Sequence, residues 1–582
     1  MKTTTFVLCL LAANGSLAAT AQDTSAARPE SEQVAAYESM LIPHLQFWGF
    51  DNRDPVIDVG PYRMSFQIYT TENTFGMAAD RVQRKQQAGG RIEVHASQLA
   101  WAGQQERAPG SIDVLAEPDG DKLSITLRAT AKTPIRGSKL ILYDLPGDRA
   151  AWSMDGVLRR VTKEGSLYQY PSWSAGLPVW YVGSSARGGL VFSSLDYQPR
   201  PKRFAVYRGQ KGTNVELIYE EDARHWTTAL ETPAWEIRSG HTLEEGIESR
   251  LAYLEAKTGL KKWEDRTDTP GWVRDISLVV SIHGMHWSGY IFNDYAKALE
   301  TVRWVVERIE PKRVLVFLPG WEGRYYWQYG DYRPEPRLGG PGGFKKMVDG
   351  MHQLGVHVMP MFGGNCANAT FANYKQFGPQ SAMISGTSLI NQGNAPDWDL
   401  SRSRDTGWQQ WLNPGAPEWQ NHLVGQIESI LDQYHVDGVF LDTQPNMEND
   451  VHYNPLEGLR EICQRIRLRH NDLLITTESF NELSMGFVPV NHTPGGVGNW
   501  PSRYIRRFAY LADGEPSRGS TGVEEDGYVP YNLNELVERY DWPTVSFVED
   551  TLSAAPEKVQ AVIEKAVATP QSIIEKAQAA LK

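Results

Sequence analysis

Two short apolar runs in this 582-residue chain each end on a carboxylate. The first is Val436-Asp437-Gly438-Val439-Phe440-Leu441-Asp442 and the second is Leu473-Leu474-Ile475-Thr476-Thr477-Glu478. Between them, Leu456 to Asn471 reads as one amphipathic helix, giving a strand–helix–strand unit with an acid at the end of each strand. In a parallel barrel those carboxyl-terminal strand ends carry the chemistry. Neighbouring parallel strands lie about 4.8 Å apart. The Asp442 and Glu478 carboxyls are therefore expected about 5–5.5 Å from each other, the spacing of a retaining glycosidase. Such an enzyme needs one carboxylate that stays ionised and one acid that keeps its proton near neutral pH. Gln444 and Asn446 beside Asp442 can hydrogen-bond an anion, whereas Glu478 has Thr476, Ser479 and Phe480 around it. Asp442 is thus expected as nucleophile and Glu478 as general acid/base. Asp437 opens its strand and is assigned to the opposite, structural end.

Other expected strand ends supply substrate contacts. His283, His286 and Trp287 follow the first strand; Trp321, Glu322 and Tyr326 follow the second. Asn365 closes Gly363-Gly364-Asn365 after the third, a glycine pair that lets backbone approach a ligand. Asn481 follows the fifth, with His492 and Trp500 further along. Trp321 is expected to stack on a pyranose face and Glu322 to accept from a hydroxyl. A total of 19 Trp and 25 Tyr suits a protein with aromatic binding surfaces as well as large cores.

Metal and cofactor chemistry finds no support. The oxygens from Asp442 to Glu448 alternate as in a calcium loop, but Pro445 interrupts them and the sixth position is not Gly. His283 and His286 lack an H-E-x-x-H frame. A serine nucleophile elbow is missing, and Gly339-Gly340-Pro341-Gly342-Gly343 lacks the Lys-Ser/Thr of a phosphate loop. Neither a metal nor a cofactor is expected.

The elements that position these residues fall into two blocks. Residues 1–21 have the pattern of an export signal, with Lys2, the apolar run Phe6 to Ala13 and a small-residue cleavage site at Ala19-Thr20-Ala21. That pattern implies a periplasmic or secreted protein, with a loose leader over 22–44. Only Cys366 and Cys463 follow, too few for a disulfide framework. A formal net charge of −12 disfavours nucleic acid and anionic membranes as partners. Residues 45–265 show short alternating runs between Gly and Pro signals, predicting an antiparallel β-sandwich. The aromatic segment from Tyr170-Pro171-Ser172-Trp173 to Tyr181 fits a core strand of that sandwich or a reach towards a neighbouring cleft. From 266 the rhythm becomes strand–helix–strand, predicting a (β/α)8 TIM-type barrel over 266–582 with a helical carboxyl-terminal tail. About 100 residues follow Glu478, few for three regular strand–helix units.

With these motifs assembled, the chain resembles α-amylase-type barrels, which place a nucleophilic Asp at the end of the fourth strand and a Glu acid/base at the fifth. It is closer to the endo-α-N-acetylgalactosaminidase family, whose "DxxYVD" strand and "MTTEW" strand are similar to Asp437-Gly438-Val439-Phe440-Leu441-Asp442 and Ile475-Thr476-Thr477-Glu478-Ser479. Leu412-Asn413-Pro414-Gly415-Ala416-Pro417-Glu418-Trp419 resembles the "NPxxPEW" lead-in to the preceding helix of many such hydrolases. The resemblance spans roughly residues 270–485 and departs at Phe480-Asn481-Glu482. It implies a retaining α-glycosidase acting on a glycan or glycoconjugate. Two other readings stand beside it. One is an α-galactosidase-like hydrolase with a sixth-strand acid, Asp513 or Glu515; the other is a carbohydrate-binding barrel without catalysis.

Overall fold

Alternation of buried and exposed side chains marks one pair of strands in the amino-terminal half. In strand Lys122–Ala131 the side chains of Leu123, Ile125, Leu127 and Ala129 are buried while their neighbours turn outward. The partner strand Gly110–Asp119 sets Ile112, Val114 and Ala116 against Ala129, Leu127 and Ile125, so one face of the pair is apolar. A computed structural model describes residues 53–153, 156–170, 176–286, 289–324, 326–384, 408–444, 448–493, 499–509, 541–547 and 556–568. The signal and leader expected at 1–44, and Trp287, Asn446, Asp513 and Glu515, lie outside these residues. Among the described residues, the strands from Ile57 to His241 form two antiparallel sheets of nine and ten strands. They meet through a shared aromatic core. Trp180 of one sheet stacks on Phe204 of the other with ring centres 5.3 Å apart, and Trp235 lies 5.9 Å from Trp180.

A helix, Leu243–Thr258, joins this region to the next. Thr242 and Glu245 cap its start reciprocally and Gly259, left-handed, ends it. Its buried stripe of Leu243, Gly246, Ile247, Arg250, Leu251 and Leu254 lies on the outer face of one sandwich sheet. Gly246 is required there: a Cβ would sit 2.4 Å from Val191 Cγ1. The same apolar cluster runs on into the carboxyl-terminal half, while the sandwich keeps a core of its own between its two sheets.

That second half holds eight parallel strands: Leu278–Ile282, Val314–Leu318, His357–Gly363, Gly438–Asp442, Leu474–Thr477, Val490–Thr493, Arg506–Ala509 and Thr544–Phe547. They are neighbours in chain order, except that the eighth returns beside the first. A parallel bridge between Phe508 and Trp542, just ahead of the eighth strand, nearly closes the sheet into a barrel. Helices Tyr295–Val306, Gly340–Leu354, Pro417–Tyr434 and Pro455–Arg469 cover the first half, and Pro556–Ala568 follows the eighth strand. The shortage of residues after Glu478 is resolved by single helical turns. Ser484–Gly486 and Trp500–Arg503 take the places of full helices after the fifth and sixth strands.

Inside the sheet, Phe317, Phe440, His492 and Phe508 form a layer of rings with centres 4.7–6.4 Å apart. They come from strands two, four, six and seven, so the interior is filled, not hollow. His492, expected as a candidate contact, is one of these rings. Burial lowers its pKa to about 3, and it packs as a neutral ring.

Asp437 lies at the opposite end of the fourth strand from Asp442. Its carboxylate meets His352 Nε2 at 2.9 Å, His357 Nδ1 at 3.3 Å and the Val358 amide at 2.8 Å. Burial pushes this carboxyl up, but the bonds from His352, His357 and Val358 win and lower it to about 2. The folded pKa is below the unfolded one, so the stability it brings is present above the ordinary Asp range and lost as pH falls towards 2. Asp437→Asn should cost about 2 kcal/mol at neutral pH and flatten the acid limb of stability between about pH 4 and 2. Urea melts across that range check it; an unchanged acid limb would contradict it.

Candidate active site

The pleat decides which side chains reach the barrel mouth. Phe440 faces inward, as its ring contacts show, so Leu441 turns out and Asp442 turns in. On the fifth strand Thr476 faces inward, its hydroxyl 3.3 Å from Met359 Sδ of the third strand. Thr477 then turns out and Glu478 in. The paired residues Phe440–Thr476 and Leu441–Thr477 place Asp442 and Glu478 next in the same register. Two acids therefore close neighbouring strands above the ring layer, 3% and 5% exposed.

Thr443 links them. Its amide donates to Glu478 Oε2 at 2.9 Å. Its hydroxyl donates to Asn365 Oδ1, with the Asp442 carbonyl also 2.6 Å away. It does this at φ 61°, the left-handed region that a β-branched residue adopts at a cost of about 1–3 kcal/mol. The Gly364 amide donates to the Asp442 carbonyl and the Ser479 amide to the Gln444 carbonyl, each at 2.9 Å. Loops three, four and five are thereby tied around the acid pair.

The immediate partner of Asp442 is a residue that sequence patterns did not single out. Tyr329 donates its hydroxyl to Asp442 Oδ2 at 2.5 Å. Room for its ring comes from Gly363, where a Cβ would lie 2.2 Å from Tyr329 Cδ2. At Gly364 a Cβ would meet Gln444 Cγ at 2.5 Å. The glycine pair was expected to admit a ligand; instead it admits these two side chains. The sequence offered only the aromatic density of Trp321 to Tyr332 as a hint.

Electrostatically, Asp442 differs from the expectation of a carboxylate held ionised by polar neighbours. Burial raises it to about 6, with the Tyr329 hydroxyl and the Thr443 amide pulling the other way. Glu478 in turn accepts a hydrogen bond from the Thr443 amide.

The remaining expected contacts divide. Trp321 is corrected from platform to core: it is 2% exposed, donates its indole N–H to the Met361 carbonyl at 2.9 Å, and packs on Phe344 and Phe362. Its side chain turns towards the surrounding helix, not the mouth. Tyr326, at φ 59°, puts its ring edge-on to Tyr329 with centres 5.3 Å apart, so it braces that residue. His286, with His283, meets Phe292 edge-on after the first strand. Glu322, Asn365 and Asn481 are buried at strand ends two, three and five. Both Glu322 oxygens, Asn365 Nδ2 and Asn481 Nδ2 have no hydrogen-bond partner among the described residues. Trp500 is buried near the fifth-strand loop and meets Phe480 edge-on. Unpaired buried polar atoms need a reason, and a polyhydroxylated ligand supplies both donors and acceptors. Among the described residues no group of three or more His, Cys, Asp or Glu is arranged to hold a metal.

The sixth-strand acid is corrected by the strand count. The sixth strand is Val490–Thr493 and carries no carboxylate. Asp513 and Glu515 come after the seventh strand, Arg506–Ala509.

The sandwich reaches this site at two points. Tyr170 donates its hydroxyl to Glu482 Oε1 at 3.1 Å, and Arg250 of the linking helix meets the same carboxylate, with Nε 2.8 Å from Oε2. Glu482 lies four residues after Glu478. On the fourth-strand loop, Asn449 accepts from the Ala223 amide at 2.8 Å and donates to the Glu221 carbonyl at 2.9 Å. Of the two readings of the segment from Tyr170 to Tyr181, the core strand holds for Tyr170 and for Val179–Gly183, which are buried in the sandwich, and the Tyr170 hydroxyl also reaches Glu482.

A family model described as a domain of unknown function, DUF6259, matches residues 254–459. Among solved structures, the chain is similar to an alpha-N-acetylgalactosaminidase from Bifidobacterium bifidum in complex with GalNAc, at 12% identity and a TM-score of 0.56 over 75% of each chain. It is similar to a GH36 alpha-galactosidase from Geobacillus stearothermophilus at 14% identity and a TM-score of 0.51, over 87% of this chain and 75% of that one. Among curated proteins, a malto-oligosyltrehalose trehalohydrolase from Deinococcus radiodurans is 26% identical over 181 residues, 31% of this chain and 26% of that protein. A 1,4-alpha-glucan branching enzyme from Rubrobacter xylanophilus is 29% identical over 123 residues, 21% of this chain and 15% of that protein. The chain thus spans less than a third of the length of these curated relatives. What it shares with the two solved structures is the fold.

Proposed function

We propose that the protein is a glycoside hydrolase that cleaves an α-linked glycan or glycoconjugate with retention of configuration. The observation that carries this reading is the pair Asp442 and Glu478, inward-facing at the same register of adjacent strands and joined through Thr443. The names of similar proteins, two α-glycosidases and an α-glucan branching enzyme, favour an α-linked sugar. On this reading the nearly closed sheet is a full TIM-type barrel.

Asp442 attacks the anomeric carbon while Glu478 gives its proton to the departing oxygen, leaving a covalent glycosyl-enzyme. Glu478 then takes a proton from water, which attacks the same carbon and releases Asp442. With a pKa near 6, Asp442 is largely ionised at neutral pH. Its charge lies in a dry site opposite the positive charge that develops on the sugar, where it acts more strongly than in water. As the general acid of this mechanism, Glu478 has to carry the proton of the pair when the glycoside binds.

Glu478→Ala tests the assignment with p-nitrophenyl and methyl α-glycosides of galactose, N-acetylgalactosamine and glucose. Turnover of the methyl glycoside should fall by about 10²–10⁴-fold and that of the p-nitrophenyl glycoside by less, because the better leaving group needs no proton. Azide should then yield an α-glycosyl azide. Equal losses for both leaving groups, or full activity, would remove Glu478 from this role. Sugar binding by the wild type with no turnover would instead favour a binding barrel.

A further inference from the structure

Glu322 stands apart from the acid pair. It follows the second strand, 1% exposed, and its backbone is fixed on the amino-terminal side. Trp321 donates to the Met361 carbonyl at 2.9 Å, and its own carbonyl accepts from the Tyr295 hydroxyl at 2.7 Å. On either side Gly320 and Gly323 have φ of 66° and 133°, so the chain is bent to place this one side chain. Yet neither carboxyl oxygen has a hydrogen-bond partner on any other described residue. A buried carboxyl without partners costs stability and gives the fold nothing in return. One strand separates Glu322's from Asp442's, an offset of about 10 Å. That leaves the width of one sugar ring between them, and is too wide for Glu322 to replace Glu478 in a retaining pair.

We propose that Glu322 is a substrate-recognition residue that works as a neutral acid, donating its carboxyl proton to a hydroxyl oxygen of an uncharged sugar held against Asp442. This rests on the glycoside hydrolase reading and reverses the acceptor role expected from sequence. Burial, and then the charge of Asp442, raise Glu322 to about 8, with only its own amide opposing. The other titratable groups around it do not supply a countercharge. The Tyr295 and Tyr332 phenols are held up by burial, and His283 is lowered to about 3. Arg337 pairs with Glu335 at 2.8 Å, and Arg324 lies over the Trp327 ring. A neutral carboxyl offers one donor and one acceptor, the complement of a sugar hydroxyl.

The test uses the full chain, with p-nitrophenyl α-glycosides for turnover and free D-galactose, N-acetyl-D-galactosamine and D-glucose for calorimetric binding. Wild-type KM should rise as pH passes about 8. Glu322→Gln, neutral at every pH, should stay within about tenfold of wild type near neutrality and lose that alkaline limb. Glu322→Ala should lose about 100-fold in kcat/KM, chiefly through KM. A Glu322→Gln variant as weak as Glu322→Ala, or one that keeps the alkaline limb, overturns the neutral-acid role. Monosaccharide binding by Glu322→Ala equal to wild type overturns recognition at this residue alone. Wild-type protein that neither binds nor turns over any of the probes overturns the functional reading, and this inference with it.

Discussion

Asp442→Asn should abolish turnover, lowering kcat by about 10⁴-fold or more, the scale on which loss of a nucleophile acts. The amide fills the same space and can still accept from Tyr329, so the loss reports chemistry and not packing. Azide should restore part of the rate with a β-configured product, because a single displacement from the vacated side inverts the centre. Full activity in this variant would end the assignment. The wild-type acid limb follows from the same group: the ionised form reacts, so kcat/KM should fall as pH drops below about 6. Stability should move the opposite way. The folded pKa lies above the unfolded one, so the folded state holds its proton longer and loses stability as pH rises from about 4 to 6. Asp442→Asn escapes that loss and should be more stable by about 1–3 kcal/mol at neutral pH. A variant both dead and firmer, read by turnover and urea melts, is the signature of a group kept for function.

The second large effect is expected far from the acids. Arg250→Ala should cost about 3–5 kcal/mol, because it leaves Glu482 as a buried charge without its cation. Arg250 is fully buried and also donates to the Ser194 carbonyl at 2.7 Å and the Asp196 carbonyl at 2.6 Å. Replacing both members, Arg250→Met with Glu482→Leu, removes the stranded charge and should recover most of the stability. It should not recover kcat, since the loop carrying Glu478 and Asn481 loses its tie to the sandwich. Full activity in the double variant would reduce Arg250 to a packing element; continued instability would place its value in the Ser194 and Asp196 contacts.

How much of this was legible in the sequence depended on the kind of contact. The fourth and fifth strands stand out because both faces of a parallel strand are covered, so Val439-Phe440-Leu441 and Leu474-Ile475 are continuously apolar. Arg506-Arg507-Phe508-Ala509 hides the seventh strand: only Phe508 joins the ring layer, while Arg507 turns away to Asp541 at 3.4 Å. The positions of Trp321 and Glu322 were readable as a strand end, but which of the two faces the mouth is set by the loop's path. Tyr329 meets Asp442 across 113 residues of chain, a proximity that no local spacing encodes. Asp442 and Glu478 were visible because they extend strands; their protonation was not, because burial and the Thr443 amide belong to the assembled loops.

The layer of Phe317, Phe440, His492 and Phe508 also separates two kinds of demand on the sequence. Below it, strands ask only for apolar volume, and many residue combinations satisfy that demand equally well. Above it, the loops carry the side chains of the proposed site and can be rewritten without disturbing the packing underneath. A chain of this architecture shares its fold with a solved structure at 12% identity, which leaves the loops above the layer as the place where the two can differ.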